Sequence, residues 1–360
     1  METTTASIIV VNFNGESCLE QCISSVLKTK YQSFEVILFD NGSTDRSLTT
    51  AEAKFGNDKR LKIIRSEKNL GFGSGNNEGF KHTAGKYIIF LNNDTIVDPD
   101  WLVTLVDTME KDSTVGLAQS ILFEIDGKKI QRHGAGWIVD SYLVFREALG
   151  TSEDGEALPD VFEASFVQGA AMLIRRDLID AIGLFDPKFP FFYDDLLLSF
   201  KTWLAGKRVV IVSKSKVCHR GGATFKRSGW SPYHYFNQVF RGLIALNIDL
   251  HISLSDLLKA LFVFTLSEVI RDFASIKSGR VNIVFISAYT SASFWILRNL
   301  RYIWRRRLEI WSRAKITPEM LVGRFAKLKI PVHLYFLSAS YREKEIKSCR
   351  DSLLKQKYIL

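Results

Sequence analysis

The chain is 360 residues long, 46% hydrophobic and 24% charged, which excludes wholesale disorder, collagen-like repeats and a coiled coil and leaves room for about two domains. With no apolar run of about 18 residues, it does not read as a multi-spanning membrane protein. The net charge of +9 is uneven: residues 271–329 hold 13 Lys and Arg against Asp272, Glu309 and Glu319, while the rest holds 35 basic against 36 acidic residues.

In chain order, Ser7–Asn12 reads as a buried strand and Glu16–Lys28 as a helix with Leu19, Ile23, Val26 and Leu27 at helical spacing. Phe34–Asp40 is a second strand, followed by the turn sequence Asp40–Asp45 and a helix over Leu48–Phe55. Leu61–Arg65 is a third strand, Asn69–Asn77 a glycine-rich loop with a helix to about Thr83, and Tyr87–Leu91 a fourth, wholly apolar strand. A further helix begins near Pro99. This alternation predicts an α/β fold: a mostly parallel central sheet with helices on both faces, its ligands beyond the carboxyl ends of the strands.

The second half loses the alternation. Thr151–Pro159 reads as a polar surface loop, and Phe162–Ile174 and Arg208–Cys218 as strands flanking Phe185–Leu204. From Pro232 onward the pattern is helical, with an uncharged run Val281–Leu297 and then Arg298, Arg301 and Arg305–Arg307. The expected division is one domain over residues 1–250 and a basic, amphipathic helical region over 251–360. Cys18, Cys22, Cys218 and Cys349 have no zinc or CxxC spacing, so reduced thiols are expected. The opening METTTASIIVVNF has no basic flank, and no secretory signal is expected.

Five clusters carry chemistry, each with a structural reading beside it. Asp94, after Asn92 and Asn93 at a strand end, suits a hard divalent cation bridging diphosphate oxygens, or an Asx turn before the next helix. Asp40 at the end of the second strand suits a base N–H, and Asn41–Thr44 suit a turn and helix cap. Gly71, Gly73 and Gly75 suit close backbone approach to phosphates, but they follow the third strand, so they are no dinucleotide fingerprint. Asp194 and Asp195 repel each other, which raises one pKa toward a general base; they equally suit a helix N-terminus. His219 suits the same metal or a phosphate, or a structural role.

In this order and spacing the segments Ser7–Gly15, Asp40–Asp45, Asn69–Gly79, Leu91–Asp94, Phe166–Arg176, Gly183–Asp186, Asp194-Asp195 and His219–Gly222 resemble the family 2 glycosyltransferases, in particular the rhamnosyltransferase-like branch that builds cell-surface polysaccharides. The resemblance covers roughly the first 250 residues. It implies a GT-A-type fold and an inverting transfer of a sugar, rhamnose in that branch. The donor is a dTDP-, UDP- or GDP-linked sugar, and the acceptor a hydroxyl of a saccharide or lipid-linked saccharide. It implies Asp195, with Asp194, as the catalytic pair, and Asp94 with His219 as ligands of Mg²⁺ or Mn²⁺. The family's metal motif is usually D-x-D; Asn92 stands at its first position here, so one carboxylate is offered. Asn12, Asn14, Asp40, Asn69, Gly71, Asn76 and Asn93 are the nucleotide-binding candidates.

A second reading is a nucleotide-sugar-binding module that has lost catalysis, made conceivable by Asn92 and by Leu197, where the family often has a further acid. Nucleic acid is not an expected partner, because the arginines of the tail are not interleaved with base-stacking aromatics. The tail instead suits peripheral contact with an anionic membrane, or a helical subdomain packed on the first domain or on a second subunit; a cytoplasmic protein at the inner face of the cell membrane is the expectation.

Overall fold

The computed structural model describes residues 5–131, 137–139, 145–148, 158–189, 193–221, 231–250, 255, 283–317 and 320–321. Most of Thr151–Pro159, Phe191 and Phe192, Gly222–Thr224 and most of the chain after residue 250 lie outside the described residues.

The first half follows the expected alternation. Strand β1 is Ala6–Asn12, β2 Phe34–Asn41, β3 Leu61–Ser66 and β4 Tyr87–Asn92. Helix α1 is Leu19–Leu27, α2 Ser47–Phe55 and α3 Phe72–Phe80, and after the short β5 (Thr95–Val97) comes α4, Trp101–Lys111. Next come β6 (Val115–Phe123), the ladder β7 (Trp137–Val139) with β8 (Phe145–Ala148), β9 (Val161–Glu163) and β10 (Ala171–Arg175). Helices α5 (Arg176–Ile182) and α6 (Asp194–Leu204) and the long β11 (Arg208–His219) follow. Helices α7 (Pro232–Leu250), α8 (Ile283–Arg298) and α9 (Leu300–Ser312) come last.

The large sheet has the order β3-β2-β1-β4-β10-β6-β11-β5, with β9 paired to β11. Strands β3, β2, β1 and β4 pair in parallel, as do β6 and β11. Strand β10 runs antiparallel between β4 and β6, so both of its neighbours share one direction. The carboxyl ends of β1, β2 and β4 therefore lie at one edge, next to the start of β10.

Alternation along each strand feeds two faces. Ile8, Val10, Val36, Leu38, Ile89 and Leu91 share a core with Leu19, Cys22 and Ile23 of α1 and Trp101, Leu102 and Leu105 of α4. On the opposite face Phe90 meets Phe185 edge-on at 4.9 Å, and α3 packs on β1 and β2. Trp101 and Trp203 are fully buried core side chains. Cys18, Cys22 and Cys218 are free thiols, and burial pushes the Cys22 thiol up to about 12.

Two expectations need correction. Phe162–Ile174 is not one strand: β9 and β10 are separated because side chains take the intervening backbone donors. Val167 N–H donates to Ser199 Oγ at 3.2 Å, Gln168 N–H to Gln119 Oε1 at 2.5 Å and Gly169 N–H to Asp195 Oδ2 at 3.1 Å. Nor is Asn69–Asn77 a loop throughout, since α3 begins at Phe72.

The described chain clusters into two compact units. The first holds the sheet, and in the second α7 packs with both α8 and α9.

Glycines weaken an isolated helix, yet α3 contains three after Phe72. A Cβ on Gly79 would lie 2.7 Å from Ile9 Cγ2, in the centre of the sheet. An exposed helical Gly→Ala change stabilises by about 1 kcal/mol, whereas overpacking costs about 1–3 kcal/mol. We therefore expect Gly79→Ala to lower stability in urea denaturation; an unchanged or raised midpoint would contradict the packing described.

Candidate active site

The strand ends are joined by one buried amide. Asn12 Nδ2 donates to Asp40 Oδ1 at 3.1 Å, to Ser43 Oγ at 3.1 Å and to Ser47 Oγ at 2.9 Å. Asn12 Oδ1 accepts from Asn93 Nδ2 at 2.8 Å. The ends of β1, β2 and β4 and the start of α2 thus share a single polar network. Asp40 Oδ2 takes the Ser43 N–H at 3.2 Å. Asn14, at φ 50°, accepts the Thr44 N–H on Oδ1 at 2.8 Å and ties the loops after β1 and β2 together.

The loop before α3 hangs from Asn41, whose amide donates to Asn69 Oδ1 at 3.0 Å and to the Gly71 carbonyl at 3.1 Å and accepts from Leu70 N–H at 2.8 Å. Asn69 and Gly71 therefore join the same edge. Asn76 does not present its amide there: it is buried, and its Nδ2 bonds the Phe72 carbonyl of its own helix at 3.0 Å.

Beside Asn93, Asp94 meets His219. Residue 219 ends β11, which pairs antiparallel with β5 and sets His219 opposite Thr95. Gln131 clasps the histidine: its Nε2 donates to the His219 carbonyl at 3.3 Å, so its Oε1, 2.9 Å from Nδ1, accepts the Nδ1 proton. In the neutral imidazole the lone pair then sits on Nε2. Nε2 lies 3.3 Å from Asp94 Oδ1 and takes a bond from Asn92 Nδ2, also at 3.3 Å. Asp94 is held from the other side by its carbonyl, which accepts the Arg220 N–H at 3.0 Å.

An imidazole lone pair facing a carboxylate oxygen is a donor set suited to a divalent cation, and a carbonyl oxygen on the distal ring nitrogen is the usual orienting partner of a metal-binding histidine. Asp94 and His219 therefore fit a Mg²⁺ or Mn²⁺ ion. Among the described residues no group of three or more His, Cys, Asp or Glu gathers for a metal, so such an ion would take its remaining ligands from diphosphate oxygens and water.

The two acids at the start of α6 have different surroundings. Asp195 is half-buried; its Oδ2 accepts the Gly169 N–H, and its Oδ1 the Leu196 N–H at 2.9 Å. Gly169 adjoins Ala170, whose carbonyl accepts the Asn92 N–H at 3.0 Å, so Asp195 is anchored at the same edge as the Asp94–His219 pair. Asp194 is buried, and its carboxyl oxygens have no hydrogen-bond partner among the described residues. A Cβ on Gly73 would lie 2.7 Å from its Oδ1, so the absence of a side chain at 73 makes its room. Burial, with Asp195 and Asp186 nearby, pushes the Asp194 carboxyl well above the usual carboxylate range. Burial also raises Asp195, while the N–H groups of Gly169 and Leu196 oppose the rise.

Residues 7–183 match the Glycosyl transferase family 2 model. The likeness to that family thus lies in just under half of the chain. An uncharacterized glycosyltransferase of Haemophilus influenzae is 35% identical over 116 residues, 32% of this chain and 36% of that protein. The Streptococcus pneumoniae glycosyltransferase GlyG is 24% identical over 225 residues, 62% of this chain and 71% of GlyG. The matched part of this chain thus spans about a third of the first relative's length. A crystal structure of GalNAc-T7 with UDP, GalNAc and Mn²⁺ superposes with a TM-score of 0.54 at 21% identity, over 67% of this chain and 48% of that one. The fold is GT-A-like, as the sheet order and the helices on both faces also indicate.

Within the matched residues 7–183, three contributors carry no motif of their own: Gln131, Gln119 and Gly169. Gln131 and Gln119 are single amides in unremarkable local sequence; Gly169, inside Phe166–Arg176, gives only a backbone N–H.

Asp194 also fixes a pH dependence. The folded state keeps a proton that the unfolded chain releases above pH about 3.9, so stability is lost as pH rises from there toward the folded pKa. Asn cannot ionise. The stability of Asp194→Asn relative to wild type should therefore climb by about 1.4 kcal/mol per pH unit across that window and then level off. Denaturation curves of both proteins at a series of pH values check this; a constant difference would contradict it.

Proposed function

We propose that this chain transfers a sugar, with inversion, from a nucleoside-diphosphate donor to a hydroxyl of a saccharide or lipid-linked saccharide acceptor. The observation that carries the reading is the anchoring of Asp195 by Gly169 at the strand edge where Asp94 faces His219. The match to the family 2 model supports glycosyl transfer, and the GalNAc-T7 structure, with UDP, GalNAc and Mn²⁺, supports a nucleotide donor and a divalent metal. A hexosyl group, rhamnose among the candidates, is the proposed cargo, in synthesis of cell-surface glycans at the inner face of an anionic membrane.

In the proposed reaction Asp195 accepts the proton of the acceptor hydroxyl. The oxygen attacks the anomeric carbon opposite the diphosphate, and the carbon–oxygen bond to the diphosphate breaks. Burial suits Asp195 to this role, since a base whose pKa approaches the working pH shares the proton more effectively. Asp194, closed off from solvent, shapes the pair without taking the substrate proton. Asp40 reads the base, and the network around Asn12 holds Asn93 and Asp94 in register. Asp94 and His219 would hold a Mg²⁺ or Mn²⁺ ion, which would supply positive charge against the departing diphosphate.

A thermal-shift panel of UDP-, dTDP- and GDP-sugars with and without Mn²⁺ should single out one nucleotide, with the larger shift in the presence of metal. With that donor, Asp195→Asn should lower turnover by about 10²–10⁴-fold while the nucleotide shift persists. Wild type that binds the donor yet neither transfers nor hydrolyses it would favour the binding-module reading.

A further inference from the structure

In the second unit the helix pair α8–α9 is built the wrong way round for a solvent-facing element. Helix α8 runs into α9 through Asn299 alone, whose N–H still reaches the Trp295 and Ile296 carbonyls at 3.0 and 3.1 Å. On α9 the buried positions are Ile303, Arg306, Arg307 and Ile310. Leu300, Trp304 and Leu308, spaced four residues apart, are 44%, 49% and 54% exposed. Phe294 and Leu297 of α8 extend the apolar column, at 62% and 65%. A surface helix ordinarily turns its apolar stripe inward and its charges out.

The inversion is locked by the end of α7. Arg306 pairs with Asp249 at 2.7 Å, both buried. Arg307 donates to the Ile248 carbonyl and lies 4.0 Å from the Trp311 ring centre, and Trp311 Nε1 donates to the Asp249 carbonyl at 2.7 Å. These donors satisfy the last carbonyls of α7, which have no partners within their own helix. Rolling α9 to hide its leucines would strand a buried carboxylate, so the apolar column stays outside.

Alongside that column runs a second one, with Arg301 and Arg305 exposed, and Arg298 exposed at the end of α8. Between residues 283 and 317 the sequence has seven basic residues and one acid, Glu309, which pairs with Arg313. A two-fold pairing of this face with a second copy would set the same arginines against one another. A surface that is apolar inside and anionic at its rim accommodates both columns. Leucines and the indole enter the boundary while arginines reach back to the charged groups.

We propose that the outer face of α8 and α9, centred on Leu300, Trp304 and Leu308 and flanked by Arg301 and Arg305, docks on an anionic lipid surface. The assignment rests on the peripheral location proposed above and is independent of the transfer chemistry. No helix among the described residues is long and apolar enough to cross a membrane; the contact proposed is an in-plane one.

The test is flotation of the full-length protein with phosphatidylcholine vesicles, with and without phosphatidylglycerol. Wild type is compared with Leu300→Ser/Leu308→Ser and with Arg301→Gln/Arg305→Gln. All four positions are exposed, and melting curves verify that the variants fold. Wild type should float with the anionic vesicles and lose binding as salt is raised. The arginine pair should lower partitioning by about 30-fold, a factor of about five per residue. The leucine pair should weaken binding even at low salt. If wild type binds and both variants bind equally well, the docking face is wrong while the peripheral location stands. If wild type binds neither vesicle, the location falls as well. A lipid-free dimer that the leucine pair converts to monomer would make the face a protein interface and overturn the proposal.

Discussion

The side chain of Asn12 is the constraint on which the working edge of the sheet depends. It is fully buried, and within the interior an amide must find partners for both its oxygen and its nitrogen or lose more than a typical hydrogen bond contributes. It finds them in Asp40 near the end of β2, in Ser43 and Ser47 just after that strand, and in Asn93 just after β4. Satisfying one amide thereby fixes the spacing of those segments. Asn93 precedes Asp94, so the carboxylate that faces His219 inherits its position from β1. Cys22 of α1 adds a weak contact from its Sγ to the Asn92 carbonyl at 3.5 Å, and Thr95 Oγ1 a stronger one at 2.7 Å. The strand end is held from several directions before any ligand arrives.

A division of labour between the paired acids follows from the same packing. Asp194 sits in space that exists because residue 73 is a glycine, and its environment keeps the carboxyl protonated well above the usual carboxylate range. Asp195 keeps an opening to solvent and two backbone donors. Adjacent carboxylates cannot both ionise cheaply at close range, and unequal burial decides which one gives way. In the proposed reaction the more open acid is the one that meets the acceptor.

Much of this was legible in the sequence. Continuous apolar runs marked β1, β2 and β4, and the polar residues just after each run mark the strand ends where the network forms. Less legible was anything that depends on distant backbone. Phe162–Ile174 is apolar enough for one strand, and only the side chains of Ser199, Gln119 and Asp195, arriving from other elements, interrupt it. The glycines of Asn69–Asn77 pointed to a loop by propensity; they are helical because α3 approaches the sheet and Asp194 too closely for side chains. Gln131 lies far from His219 in sequence, and its role depends on the turn that folds it back onto the end of β6, the strand that pairs with the end of β11. On α9 the pattern of arginines and leucines reads as an ordinary amphipathic helix. Which side faces inward is decided by Asp249 and the carbonyls at the end of α7.

The central claim is that Asp94 and His219 form half of a cation site that a nucleoside diphosphate completes. Electron paramagnetic resonance of Mn²⁺ measures this directly, because the free ion gives a sharp signal that disappears on binding. With the nucleoside diphosphate selected by the donor panel, wild type should take up Mn²⁺, and Asp94→Asn and His219→Ala should each leave it mostly free. Equal uptake by wild type and both variants would contradict the account.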